Sequence, residues 1–357
     1  MCSDSTQGDD RDSSQTTDRI DVHAHFLPAF YREALIEAGL SQPDGIRELP
    51  AWNVDGAIAA MDRLNIGTAM LSISSPGVDI GHGGRARSLA RSLNDEARRL
   101  CETYPGRFGS FAIVPLPNVD DAIAEACYAL DILQADGVVL ETNHDGVYLG
   151  DPLLEPLYVE LNRRKAVIFI HPTSPACACC ARHTDRYPQP AMEFMFETTR
   201  SVVDMVLSGV LNRFPDLRVI VPHAGAALPI LTERIELLLP VLCRPGLGPA
   251  ASLREAMGKL HFDLAGAAVP QMLAALLTVA SPDRLHYGSD YPFTPADACE
   301  ALANRLATTT LLDDALRARI WRENALSLFP RLRRLHTHSV PAATGGHSCS
   351  EVMRQVT

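Results

Sequence analysis

The sequence contains no run approaching the roughly 18 apolar residues that a membrane span requires. Its opening stretch, Met1 to Asp18, is polar and lacks the apolar segment of a secretory signal. Both absences lead to the expectation of a soluble, cytosolic protein. A basic excess is missing too. The formal net charge is −11, whereas a nucleic-acid binder gathers lysine and arginine on one face. A small anionic substrate is still compatible, because a local arginine overrides net charge. The doubled CxxC spacing of structural zinc sites does not occur. The nine cysteines are scattered and odd in number, which suits a reduced intracellular chain better than a disulfide framework. No glycine-rich dinucleotide loop is present, which argues against an open doubly wound sheet.

What is present is a globular composition. Of 357 residues, 46% are hydrophobic and 21% charged, enough to build a large core. That length suits a single (β/α)8 TIM barrel with insertions. Eight short apolar runs read as strands: 20–25, 67–74, 108–116, 137–141, 166–171, 217–223, 261–265 and 285–289. Helical patterns fall between them: Val54–Leu64, Ala86–Tyr104, Asp120–Gln134, Pro152–Arg164, Met192–Phe214, Leu228–Leu239, Val269–Ala280, Ala296–Ala307 and Asp313–Phe329. Strands alternating with helices predict a parallel barrel over residues 19–335. Residues 1–18 and 336–357 read as disordered ends. Segments 26–52 and 173–191 are expected to form short caps over a pocket.

Chemistry concentrates where strands end. His23 and His25 are two apart on the first strand, so both side chains point to the same face. His171 closes the fifth apolar run, His223 the sixth and Asp290 the last. Each has an ordinary reading alone, such as a satisfied core histidine or a helix cap. Together they converge, because a parallel barrel gathers the C-terminal ends of its strands around one pocket. Imidazoles and a carboxylate suit a borderline-soft divalent ion. The expectation is a divalent ion held by His23, His25, His171 and Asp290. His223 is the candidate acid or base, with Asp290 able to trade protons as well. Arg47, Arg234, Trp52 and Phe293 are candidate substrate contacts, an arginine being suited to a carboxylate. Asp263 is read as structural or as supporting the metal ligands. Cys177, Cys179, Cys180 and His183 are read as a loop near the rim, not a second metal site.

The motifs resemble the amidohydrolase superfamily, in its branch of non-oxidative decarboxylases. The matching stretches include Asp21-Val22-His23-Ala24-His25-Phe26-Leu27-Pro28, His171-Pro172-Thr173, Pro222-His223-Ala224-Gly225 and Gly288-Ser289-Asp290-Tyr291-Pro292. The branch includes aminocarboxymuconate semialdehyde, γ-resorcylate and fungal 6-methylsalicylate decarboxylases, the last giving the nearest resemblance. It implies a carboxy-lyase for a small aromatic acid, converting 6-methylsalicylate to 3-methylphenol, in polyketide pathways such as that to patulin. It also implies the metal set named above, holding zinc or alternatively manganese, and water activation or proton transfer by His223. A homodimer is implied, in which Arg234 reaches the neighbouring active site. Strand four ends in Val139-Leu140-Glu141-Thr142-Asn143, without the lysine that two-metal hydrolases of the superfamily carboxylate, so a mononuclear site is implied. A metal-dependent hydrolase of a lactone or amide is the alternative on the same scaffold.

Overall fold

The computed structural model describes residues 19–81, 84–177, 186–244 and 251–337. The segment before Arg19, most of the tail, and Cys179, Cys180 and His183 lie outside the described residues. Eight parallel strands form a nearly closed barrel: β1 (Arg19–His25), β2 (Ile66–Ser72), β3 (Phe108–Ile113), β4 (Gly137–Glu141), β5 (Val167–His171), β6 (Arg218–Val221), β7 (His261–Asp263) and β8 (Leu285–His286). Their spatial order follows the chain. Closure runs through parallel bridges Asp21–Tyr287 and Ala24–Tyr291. The predicted barrel is therefore observed, with strand starts within one residue of expectation and several ends shorter.

Helices alternate with the strands: α1 (Ala29–Glu37), α2 (Val54–Arg63), α3 (Arg85–Thr103), α4 (Val119–Asp131), α5 (Glu155–Arg163), α6 (Glu193–Leu207), α7 (Leu228–Leu242) and α8 (Ala296–Thr308). Local signals explain their limits. Asn53 and Asn118 accept backbone hydrogen bonds from Gly56 and Asp121, capping α2 and α4. On α3 Leu93, Ala97 and Leu100 are buried at helical spacing, the stripe that seats the helix on the sheet.

Three helical expectations change. The helix expected over Met192–Phe214 is two, because Gly209 takes a left-handed φ of 82° between α6 and a short helix at Val210–Arg213. The segment 313–329 is not one helix either. It contains a π-helical turn at Arg319–Glu323, and the carbonyl of Ile320 accepts a hydrogen bond from the Tyr287 N–H at the end of β8. The tie to the sheet accompanies the break in the α ladder. Lastly, α1 lies within the region expected only as a cap. Its Tyr31 and Leu35, four apart, are buried.

The barrel interior is stacked in layers. Phe169 and His171 alternate on β5, so they share the inner face. Phe169 packs on Phe111 at 5.2 Å between ring centroids and lies edge-on to His23 at 4.8 Å. Burying such a phenyl ring contributes about 1.5–3 kcal/mol. This apolar layer lies against the histidines.

Candidate active site

Strand geometry delivers four donor atoms to one place. His23, His25, His171 and Asp290 each offer one atom, all within 4.8 Å of one another. No second such group occurs among the described residues. His23 and His25 sit on the inner face of β1, with Nε2 atoms 3.1 Å apart. His171 brings its ring centroid to 4.7 Å from that of His25. Asp290 follows β8, with Oδ1 at 3.2 Å from His25 Nε2 and 3.5 Å from His23 Nε2.

Two of the donors are oriented from behind. His23 Nδ1 donates to Asp263 Oδ2 at 2.9 Å, since a carboxylate only accepts. Ser72 Oγ donates to the Ala24 carbonyl at 3.1 Å, so it accepts from His25 Nδ1 at 2.9 Å. Both rings thus spend a proton outward and turn an Nε2 lone pair inward. Two lone pairs facing each other at 3.1 Å repel unless a positive charge lies between them, either a proton on His23 Nε2, which the carboxylates favour, or a metal ion that replaces it. The donor set fits a divalent ion on that ground.

Asp263 does more than hold His23. Its Oδ1 accepts from the backbone N–H groups of His223 and Ala265, both at 3.0 Å. One carboxylate therefore fixes a metal-facing ring and the turn carrying the candidate proton carrier. Asp21 plays a similar part at the seam. Its Oδ1 accepts from His23 N and Ser289 N at 3.0 Å each, while the His23 carbonyl accepts from Asp290 N at 2.7 Å. The barrel closure itself presses Asp290 against His23. Gly288 is required here, because a Cβ would lie 2.8 Å from that of His23.

Two site residues adopt left-handed backbone, Asp290 with φ 62° and His223 with φ 54°. Such a conformation is uncommon outside glycine and clusters at functional sites. Thr294 Oγ1 donates to Asp290 Oδ2 at 3.1 Å, fixing the carboxylate. His223 Nδ1 is buried with no hydrogen-bond partner among the described residues.

Charge at the site follows from this packing. Burial opposes a charge on His23, yet Asp263, Asp290 and Asp21 outweigh it and raise its pKa to about 9. Burial raises the Asp290 carboxyl, but contact with the His25 ring and the positive charge gathered on the histidines hold it below its ordinary value. Burial lowers His171 and His223, with the neighbouring histidines adding to it. The carboxylates thus favour a positive charge at the centre of the cluster.

A cavity of about 740 Å³ opens onto His171, His223 and Asp290, a volume suited to a small molecule. Phe293 and Arg47 line it. Trp52 does not. It packs on Phe26 at 6.0 Å between ring centroids and lies away from the cavity wall. Arg234 is exposed on α7 and does not reach this cavity within one chain. Glu141 stands outside the four-donor group. Burial, then Asp44 and Asp79, push its carboxyl well above the usual range. Its Oε1 occupies the space a side chain at Gly77 would need.

Residues 20–331 match the amidohydrolase family. The chain belongs to that family. The 6-methylsalicylic acid decarboxylase of Aspergillus aculeatus is 38% identical over 333 residues, covering 90% of this chain and 99% of the relative. A solved 2,6-dihydroxybenzoate decarboxylase, complexed with 2,6-dihydroxybenzoate, matches with a TM-score of 0.73 at 25% identity, covering 88% of this chain and 99% of that one. A dihydroxybenzoic acid decarboxylase from Polaromonas, solved with manganese and 2-nitroresorcinol, shares the fold with a TM-score of 0.75 at 23% identity, covering 88% and 97%. The family and the decarboxylase branch expected from the motifs are both borne out.

Proposed function

We propose that this chain is a metal-dependent carboxy-lyase that converts 6-methylsalicylate to 3-methylphenol and carbon dioxide. The observation that carries the reading is the convergence of His23, His25, His171 and Asp290 on one point beside the cavity. The identity with the Aspergillus aculeatus enzyme supports the substrate.

His23, His25, His171 and Asp290 would hold one divalent ion. Zinc is the assignment favoured by three neutral imidazoles, and the manganese of the Polaromonas neighbour is the alternative. Once bound, the ion supplies positive charge that stabilises the substrate carboxylate and the phenolate-like ring. Asp290, fixed by Thr294, accepts the proton of the ortho hydroxyl and delivers it to the ring carbon bearing the carboxylate. That carbon becomes tetrahedral, the bond to the carboxylate breaks, and its electron pair restores the ring as carbon dioxide leaves. His223, kept neutral by burial, relays the replacement proton to the phenolate oxygen. One proton enters, one carbon dioxide departs, and no electrons leave the pair of reactants.

Arg47 on the cavity wall is assigned to the substrate carboxylate or its approach, and Phe293 to the ring face. Arg234 would serve the active site of a second subunit. Support comes from Ile230, Leu237 and Val241, which are exposed on the same helix and suit a homodimer interface. The cytosol is the compartment proposed, in a polyketide pathway of the patulin kind; no helix among the described residues is long and apolar enough to cross a membrane.

The test is incubation of metal-quantified protein with 6-methylsalicylate, with and without a chelator. Chelator-sensitive release of equimolar 3-methylphenol and carbon dioxide is expected. Hydrolysis of lactone or amide substrates without decarboxylation would replace this reading.

A further inference from the structure

We propose that the enzyme prefers ortho-hydroxybenzoic acids whose other ortho substituent is an apolar chain longer than methyl. The inference rests on the decarboxylase reading and specifies its substrate class.

The argument begins with volume. Among the described residues the cavity measures about 740 Å³. A methylsalicylate has about 11 non-hydrogen atoms and, at the close-packed density of protein interiors, fills on the order of 200 Å³. More than half of the space is left over. That remainder is bounded by apolar side chains. Phe194 is buried, and Met195, Met272 and Phe293 are half-buried around the cavity. Methionine side chains adapt to ligands of varied shape. Ala191 and Ala267 complete the wall and project little into it.

The polar groups are accounted for elsewhere. His171, His223, Asp290 and Ser74 belong to the reacting end. Asp44 accepts a hydrogen bond from the Ser174 hydroxyl. Arg47 is assigned to the substrate carboxylate or its approach, and Glu48 is an exposed side chain of the same wall. A substrate ending at a methyl group would leave water against hydrocarbon walls, which is unfavourable. An alkyl chain displaces that water, and each methylene buried this way strengthens binding roughly threefold to fourfold. Binding energy from a remote group also raises kcat/KM.

The experiment compares kcat/KM for salicylates bearing methyl, propyl or pentyl at the second ortho position, using the full-length metal-loaded enzyme. A stepwise rise with chain length is expected. Turnover of the methyl compound with a stepwise fall for longer chains would overturn the proposal and leave the decarboxylase reading intact. Turnover of none would reject the decarboxylase reading and the proposal with it. Ala267→Trp provides a second readout by narrowing the cavity. It should lower the pentyl-to-methyl ratio at least tenfold; an unchanged ratio would contradict placement of the chain along this wall.

Discussion

Two pairs of buried histidines in this barrel look alike by distance and differ in everything else. His23 and His25 bring ring nitrogens to 3.1 Å; His261 and His286 bring theirs to 2.9 Å. The second pair is a hydrogen-bonded chain with one direction, ending at His286, whose Nδ1 has no partner among the described residues. Arg284 Nη1 donates to His261 Nε2 at 2.8 Å, because a guanidinium can only donate. His261 therefore carries its proton on Nδ1 and donates it to His286 Nε2. No lone pairs converge. In the first pair both Nδ1 protons are spent outward on Asp263 and Ser72, and the lone pairs meet. Charge diverges in the same way. Asp263, Asp290 and Asp21 outweigh burial at His23 and raise it to about 9, whereas burial lowers His286 to about 4, with Arg284 adding to the effect. Proximity of histidines does not make a metal site. The groups behind them decide whether a cation is drawn in.

The largest effect that would sharpen this contrast is at Asp290. Asp290→Asn removes the carboxylate proposed as metal ligand and proton carrier, and should lower kcat by about 10³-fold or more. Far-ultraviolet circular dichroism should show an unchanged fold. Retention of even a tenth of the activity would remove Asp290 from the chemistry. Next in size is Asp263→Asn, which weakens the hold on His23 Nδ1. Outer partners of metal ligands typically contribute 10–100-fold in affinity, so chelator competition should show a loss of that order. His286→Leu should leave metal content intact. It strands the His261 Nδ1 proton and should cost about 1–3 kcal/mol in urea unfolding. A loss of metal in that variant would break the comparison.

Acid supplies the most general test. Burial lowers both His144 and His286 to about 4. In the unfolded chain such imidazoles take up protons near pH 6.5. Between pH 6.5 and 4 the unfolded state therefore holds more protons, and stability falls as pH drops. Each residue accounts for a decline on the order of 3 kcal/mol across that window. Replacing His144 with Gln should flatten the slope of unfolding free energy against pH; an unaltered slope would contradict its buried neutral state.

The catalytic end of the barrel was legible in the sequence because its signals are local. Two histidines two residues apart on an apolar run must share a face, and a residue ending a barrel strand must face the pocket. Asp263 was visible as a supporting group, but its hold on both His23 and His223 was not, since they are 240 and 40 residues away. Ser72 had no signal at all, being one polar residue in an apolar strand. Helix α1 was hidden in a segment with turn-forming residues on both sides. Trp52 illustrates the limit of type-based inference. An indole suits an aromatic pocket and a core equally, and here Phe26 claims it. Arg234 is exposed and away from the cavity, and the role proposed for it would need a neighbouring subunit, which no single-chain pattern can place.

The most direct test of the account is metal analysis of three proteins: the wild type, His25→Ala and His286→Leu. One equivalent of divalent metal per chain is predicted for the wild type and for His286→Leu, with His25→Ala depleted and inactive toward 6-methylsalicylate. Full metal and full decarboxylase activity in His25→Ala would contradict the claim that the ion and the chemistry reside in the strand-end cluster.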